Sequence, residues 1–147
     1  MGVDATAIAG VLGGSGVLGR PIRDTRDLED AVRAGIPKPA LDRLITTIVS
    51  GDRADDSGVR LRNKIVPRAT YQRVERFNLQ VSETTERIAR LYALALFAFQ
   101  DSEVAARFMM HPHPELGDRT PFDTALTEVG GREVEEVIER GLHGLPA

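Results

Sequence analysis

Nine consecutive residues, Leu91 to Phe99, carry no charge and no polar group apart from the Tyr92 hydroxyl, and this run limits the folds open to the chain. Ile88, Leu91, Tyr92, Ala95, Leu96 and Phe99 recur at spacings of three and four, as on one face of a helix. The residues between them are apolar too, so the helix is expected to be covered on nearly all sides. A spanning helix needs about 20 apolar residues, more than this run supplies. The cover must therefore come from the rest of the chain. The central helix reads from Ser82 as N-cap, with Glu83 and Glu86 in the first turn, where the helix dipole favours acids.

The remaining periodicities are helical as well. Leu28, Ala31 and Val32 share a face after Thr25, and Gly35 stops that run; Pro37 and Pro39 permit a new start, carrying Leu41, Leu44, Ile45, Ile48 and Val49 to Ser50-Gly51. Asp52 to Gly58 reads as polar loop. Val59, Leu61 and Ile65 mark a short helix, and Pro67 opens another that runs to about Phe77. After Asp101, Val104, Ala105, Phe108 and Met109 form a helix that must stop before His111-Pro112-His113-Pro114. Thr120-Pro121-Phe122-Asp123 reads as N-cap, N1 proline and an acid at N3, opening a helix through Val129 that Gly130-Gly131 then breaks. A last helix, Arg132 to Arg140, puts Val134, Val137 and Ile138 on one face and ends at Gly141. The glycine-rich first twenty residues read as a flexible arm. No segment alternates like a strand, so the expected fold is all-α, with about seven helices.

Composition removes most chemistries. A chain of 147 residues, 41% hydrophobic and 28% charged, can bury a core but not several domains of ordinary size. There is no cysteine, which excludes disulfides and thiolate metal sites and fits a reducing compartment, and Met1 to Gly19 lacks a charged n-region, so the expected location is the cytoplasm. Gly14-Ser15-Gly16-Val17-Leu18-Gly19 spells a dinucleotide fingerprint, yet no strand precedes it and Pro21 follows at once. His111 and His113 alternate with prolines and have only His143 for company, a poor basis for a closed metal site. No nucleophile signature or acid–base pair stands out. The expectation is a non-enzyme with no cofactor and no metal.

Charge is distributed unevenly. Residues 1–52 hold six basic and seven acidic groups, residues 53–80 seven and three, and residues 81–147 six and twelve, giving −1, +4 and −6. A basic middle can meet phosphates, and an acidic end suits a basic protein surface; the alternative is a solvated surface with uneven charge. Leu61 to Phe77 adds a helix, turn, helix rhythm to the basic excess. Arg68, Tyr71, Gln72, Arg73 and Arg76 are its candidate DNA contacts, offering guanidinium and amide donors for bases and charge for phosphates, with Val74 and Phe77 on the buried side.

From Ser82 onward the order of the pieces resembles the Xre/MbcA/ParS toxin-binding domain of antitoxins paired with RES-domain toxins. The resemblance is carried by Ser82-Glu83-Thr84-Thr85-Glu86-Arg87-Ile88-Ala89-Arg90-Leu91, by Glu103-Val104-Ala105-Ala106-Arg107-Phe108-Met109, by Leu116-Gly117-Asp118-Arg119-Thr120-Pro121-Phe122-Asp123, and by the ending from Gly130 to Gly141. Phe108-Met109 stands where the family commonly has Trp-Leu. Pro67 to Arg73 looks like the second-helix start of the family's Xre-like helix-turn-helix region. The resemblance divides the chain into an arm (1–24), a helix-turn-helix-like region (25–80) and a toxin-binding domain (81–147). It implies an antitoxin that binds a NAD-consuming or ADP-ribosylating RES toxin, forms a homo-oligomer within a toxin–antitoxin complex and autoregulates its operon. It further implies that Arg132 to Ala147 occludes the toxin's active site. The candidate contacts there are Arg132, Val134, Val137, Ile138, Arg140, Gly141, Leu142, His143 and Leu145. An amphipathic terminal helix can fill a partner's cleft, or it can dock on its own domain. On the first view its removal should leave a folded remainder. A DNA-binding regulator with no enzyme partner is the competing class.

Overall fold

The computed structural model describes residues 3–49 and 56–142. Among the described residues, ten α-helices and one 3-10 turn follow one another: α1 (Ala5–Val11), α2 (Gly14–Leu18), α3 (Thr25–Ala34), α4 (Lys38–Ile48), α5 (Ser57–Ile65), α6 (Arg68–Arg73), α7 (Leu79–Phe99), α8 (Ser102–Met110), η1 (Pro114–Leu116), α9 (Pro121–Thr124) and α10 (Glu128–Leu142). The described residues form no strand, only two isolated bridges, Pro37 with Arg76 and His113 with Arg119. The fold is all-α.

The long apolar helix is the axis of the molecule. Around α7 pack α1, α3, α4, α5, α8 and α10. Ile88, Ala89, Leu91 and Ala95 are wholly buried, and full burial of a leucine or isoleucine side chain contributes about 1.5–3 kcal/mol. The cluster continues without interruption from Ile8 and Leu12 through Leu41, Leu44 and Met109 to Phe122, Val134 and Ile138. The C-terminal end of α7 departs from the expectation of cover on nearly all sides: Phe97 and Phe99, in its last turn, remain exposed.

Four local expectations are corrected by packing. The glycine-rich start forms two helices and joins the core: Asp4 caps α1 by accepting from the Ala7 amide, Gly13 makes the left-handed turn into α2, and Leu12 and Leu18 are buried. Small residues suit this segment because α1 lies close against α7. The central helix begins at Leu79, capped by the Asn78 side chain, so Ser82 is not its N-cap. Ser82 is buried inside the first turns, where its hydroxyl accepts from the Ile36 amide at 2.9 Å and donates to the Phe77 carbonyl at 3.2 Å, tying α7 to the α3–α4 connection.

The third correction concerns Gly130-Gly131, which do not break a helix. α10 runs through both, and the helix opened by Thr120 ends already at Thr124. A Cβ on Gly130 would lie 1.8 Å from the Thr124 carbonyl oxygen, and one on Gly131 would lie 2.7 Å from Cδ of Arg87. The glycines thus let α10 press against α9 and α7. The fourth is the helix expected from Pro67 to Phe77, which stops at Arg73. Residues 74–77 are drawn out of helix because the Phe77 amide donates to Ile36 O and Glu75 O accepts from the Lys38 amide, both at 3.0 Å. The polar loop expected at Asp52 to Gly58 lies mostly outside the described residues, and its end, Ser57-Gly58, opens α5.

Candidate partner-binding site

Two surfaces correspond to the two sets of candidate contacts. On α10 the helical period separates an inner face from an outer one. Val134 and Ile138 are buried in the chain's own core, with 0% and 2% exposure, so these two candidate contacts face inward and the terminal helix docks on its own domain. Deleting Arg132 to Ala147 would strip the core of both side chains, and the folded remainder expected from the sequence does not follow. Arg132, Gly141 and Leu142 are exposed, Val137 and Arg140 half-buried, and Glu133, Glu136 and Glu139 stand outward. Glu135 faces Arg90 at 3.8 Å, Arg132 faces Glu128 at 3.5 Å, and Arg140 pairs with Glu115. His143 and Leu145 lie outside the described residues.

The last turns of α10 close one side of a groove of about 220 Å³, bounded by Phe99 at the end of α7, Phe108 of α8, His113 and Glu115 at η1, and Val137, Ile138, Arg140 and Gly141. The rings are ordered against each other. Phe99 and Phe108 meet at 5.4 Å and 60°, and Phe108 meets His113 at 6.1 Å and 72°, the offset and edge geometries that aromatic pairs prefer. His113 is itself held, because its Nδ1 accepts from the Glu115 amide at 3.1 Å. The groove therefore has an apolar floor with the Arg140–Glu115 pair on its rim.

Phe99 and Phe108 read from sequence as core. Both instead lie partly open at this groove, Phe99 at 38% exposure. One sequence signal pointed there. Phe99 is followed at once by Gln100 and the capping residue Asp101, so it sits where a helix ends and its cover is incomplete. Phe108-Met109, one half-buried and one fully buried, straddles the same edge.

The basic candidates divide differently. Arg68, Gln72 and Arg73 of α6 are exposed. Tyr71 is engaged by its own chain: its hydroxyl donates to Asp42 at 2.7 Å, its ring lies under the Arg62 guanidinium at 3.8 Å, and Lys38 Nζ stands 4.7 Å from the ring centre. Burial and then the bond to Asp42 hold that hydroxyl above the usual tyrosine range, against the opposing pull of Arg62. Arg76 likewise donates to Gly35 O at 3.0 Å. Lys64 of α5 pairs with Asp123 at 2.8 Å. Val74 is half-buried and Phe77 buried. Among the described residues, no group of His, Asp and Glu side chains could hold a metal ion.

Residues 93–144 match the family model described as the antitoxin Xre/MbcA/ParS C-terminal toxin-binding domain. This segment is similar to that domain family. The Xre/MbcA/ParS segment starts inside α7, later than the resemblance beginning at Ser82, and takes in α8, η1, α9 and α10. Every residue bounding the groove lies within it. No curated protein is similar enough in sequence to serve as a relative. No helix among the described residues is long and apolar enough to cross a membrane.

Proposed function

We propose that the chain is the antitoxin of a type II toxin–antitoxin pair, a binding protein that occludes the active site of a cytoplasmic RES-type toxin, one that consumes NAD or ADP-ribosylates. The observation that carries this reading is the coincidence of the Xre/MbcA/ParS toxin-binding segment with the groove and the outer face of α10. The charge supports it. A cleft that binds an anionic dinucleotide is basic, and Glu133, Glu136 and Glu139 present the opposite sign on the exposed side of α10. A terminal helix that entered the cleft itself would do so through Val134, Val137 and Ile138, and the first and last of these are buried in the core. Their burial favours a docked α10 that presents its outer edge, with Arg132, Val137, Arg140, Gly141 and Leu142 as the contacts. Growth of cells producing a RES-type toxin from the adjacent reading frame tests this. Co-production of the full chain should restore growth and co-purify with the toxin, and a soluble full chain that does neither refutes the reading.

The exposure of Arg68, Gln72 and Arg73 on consecutive turns of α6 favours a second activity, operator binding that autoregulates the operon. α5 and α6 are joined by the short Val66-Pro67 turn, as in a helix-turn-helix. Their exposed cations suit phosphate contacts, while Tyr71 is held from beneath by Asp42 and the exposed Arg76 is tied to Gly35 O. A homo-oligomeric antitoxin would match a two-fold operator. Gel shifts with the operon's own promoter, using chain and complex, decide it. Loss of the shift on replacing Arg68 and Arg73 would support the reading, and binding to the promoter without any toxin partner in the operon would favour a plain transcriptional regulator.

A further inference from the structure

Residues 5–19 contain no charged side chain, although 28% of the whole chain is charged. Burial does not account for this. α1 turns Ala5, Ile8 and Ala9 into the core but leaves Thr6, Ala7 and Gly10 exposed. A surface helix ordinarily carries charge on its outer side, as α3 does with Arg26, Glu29, Asp30 and Arg33. Beside the uncharged face of α1 runs a groove of about 310 Å³, with Ala7 and Val11 on one side and Leu96, Phe97 and Gln100 of the α7 end on the other. Every residue lining it is uncharged, and the Gln100 side-chain amide is already engaged, donating to Phe97 O at 2.7 Å. Phe97 is 40% exposed there. A Cβ added to Gly10 meets nothing within 4 Å, so the α1 backbone is open to close approach from outside.

Charge and symmetry say what covers this face. A basic protein surface finds no acid on it, and DNA finds no cation. A membrane surface draws in amphipathic helices through Lys and Arg beside the apolar side, and α1 offers the acid Asp4 instead. A two-fold contact sets a patch against its own copy, so the acidic outer side of α10 would meet like charge, whereas the α1 face meets none. Its shape is also self-complementary, a projecting ring beside a groove. An apolar cavity of about 150 Å³ holds a benzene ring, so a groove of about 310 Å³ admits the Phe97 ring of a second copy. We propose that α1 and the end of α7 form the two-fold interface of a homodimer, with the α1 helices of the two copies meeting at Gly10 and each Phe97 seated in the other's groove. The inference rests on the homo-oligomer of the operator reading above, to which it gives a surface, and is independent of the toxin reading. Standard interfaces use about 20–30 residues a side, more than this face offers, so the dimer assembles at micromolar concentration.

Sedimentation of the full chain alone, over about 1 to 200 µM, is the test. The mass should rise with concentration from 16.0 kDa towards twice that value. Gly10→Glu fits the monomer, because its side chain points into open space, and it sets like charges against each other across the two-fold axis. It should weaken dimerisation at least tenfold with an unchanged or higher Tm, and Gly10→Lys should do the same. An equimolar mixture of the two variants should associate more strongly than either alone, which only a self-facing contact explains. Phe97→Ala should weaken the dimer of the otherwise unaltered chain. If Gly10→Glu lowers Tm, Ala7→Glu, also at an exposed position, takes its place. An unaltered chain that stays at 16.0 kDa throughout refutes the dimer and leaves the toxin reading standing. Dimerisation indifferent to Gly10→Glu places the contact on another face, and a mixture no stronger than its components removes the two-fold arrangement. Loss of toxin co-purification by Gly10→Glu, with self-association unmoved, would give the face to the toxin and overturn the proposal.

Discussion

The α5–α6 region and the end of α10 were equally suggestive in composition, one basic and one amphipathic, yet their side chains are committed in opposite ways. In the basic region the long cationic and aromatic groups turn back onto the chain: Arg62 lies over Tyr71, Arg76 reaches Gly35, and Lys64 reaches Asp123. At α10 the inner apolar residues serve the core, and the outer edge leaves an aromatic groove unfilled. A count of charges therefore overstates the first surface, and a helical wheel misassigns the second. What distinguishes a binding surface from a structural one is which groups remain without an internal task.

This contrast can be attacked first through the glycines. Gly130→Ala should destabilise the protein by about 3 kcal/mol, because its Cβ meets backbone rather than a side chain that can move. In a domain of this size that lowers Tm by roughly 10 °C, whereas Gly141→Ala should leave Tm equal or slightly higher. Equal effects at the two positions would mean that α10 is not pressed onto α9. Next comes Ser82→Ala, which strands the buried Ile36 amide and should cost about 2 kcal/mol in urea unfolding, with no effect on toxin binding. Tyr71→Phe removes the bond to Asp42 and should cost about 1 kcal/mol. Its effect should appear in stability and not in the salt dependence of DNA binding. The converse holds for Arg68→Ala with Arg73→Ala: Tm stays within a degree or two, while the slope of log affinity against log salt falls by about 2, close to 0.9 per phosphate contact. Should Tyr71→Phe change that slope instead, the division between structural and exposed groups on α6 is wrong.

Much of the helical order was legible, because it rests on local physics. Thr120 caps α9 by accepting from the Asp123 amide, Asp101 caps α8, Gly35 ends α3 with a positive φ, and the apolar stripe of α4 is the buried one. The errors share one cause, which is that the deciding partner lies far off in sequence. Ser82 looks like a cap until Ile36 takes its hydroxyl. Gly130 and Gly131 look like a break until Thr124 and Arg87 occupy the space a side chain would need. The extended stretch after Arg73 follows from pairing with Ile36 to Lys38, and the glycine-rich start becomes helical because α7 offers a surface that small residues can approach closely. The binding region was legible as to the helix that carries it. The groove beside it was not, since Phe99 and Phe108 differ from core residues only in where their helices end.

Hydrogen exchange on the full chain, alone and in complex with the inactivated toxin, tests the central claim most directly. The account predicts that the amides around Val134 and at Ile138 stay protected in both states, because α10 remains docked, while protection rises at Phe99, around Phe108 to Glu115, at Val137 and from Arg140 to Leu142. Loss of protection along α10 on binding would show that the helix leaves its own domain to enter the toxin. A gain confined to α5 and α6 would place the partner on the basic surface instead. Either result would contradict the account.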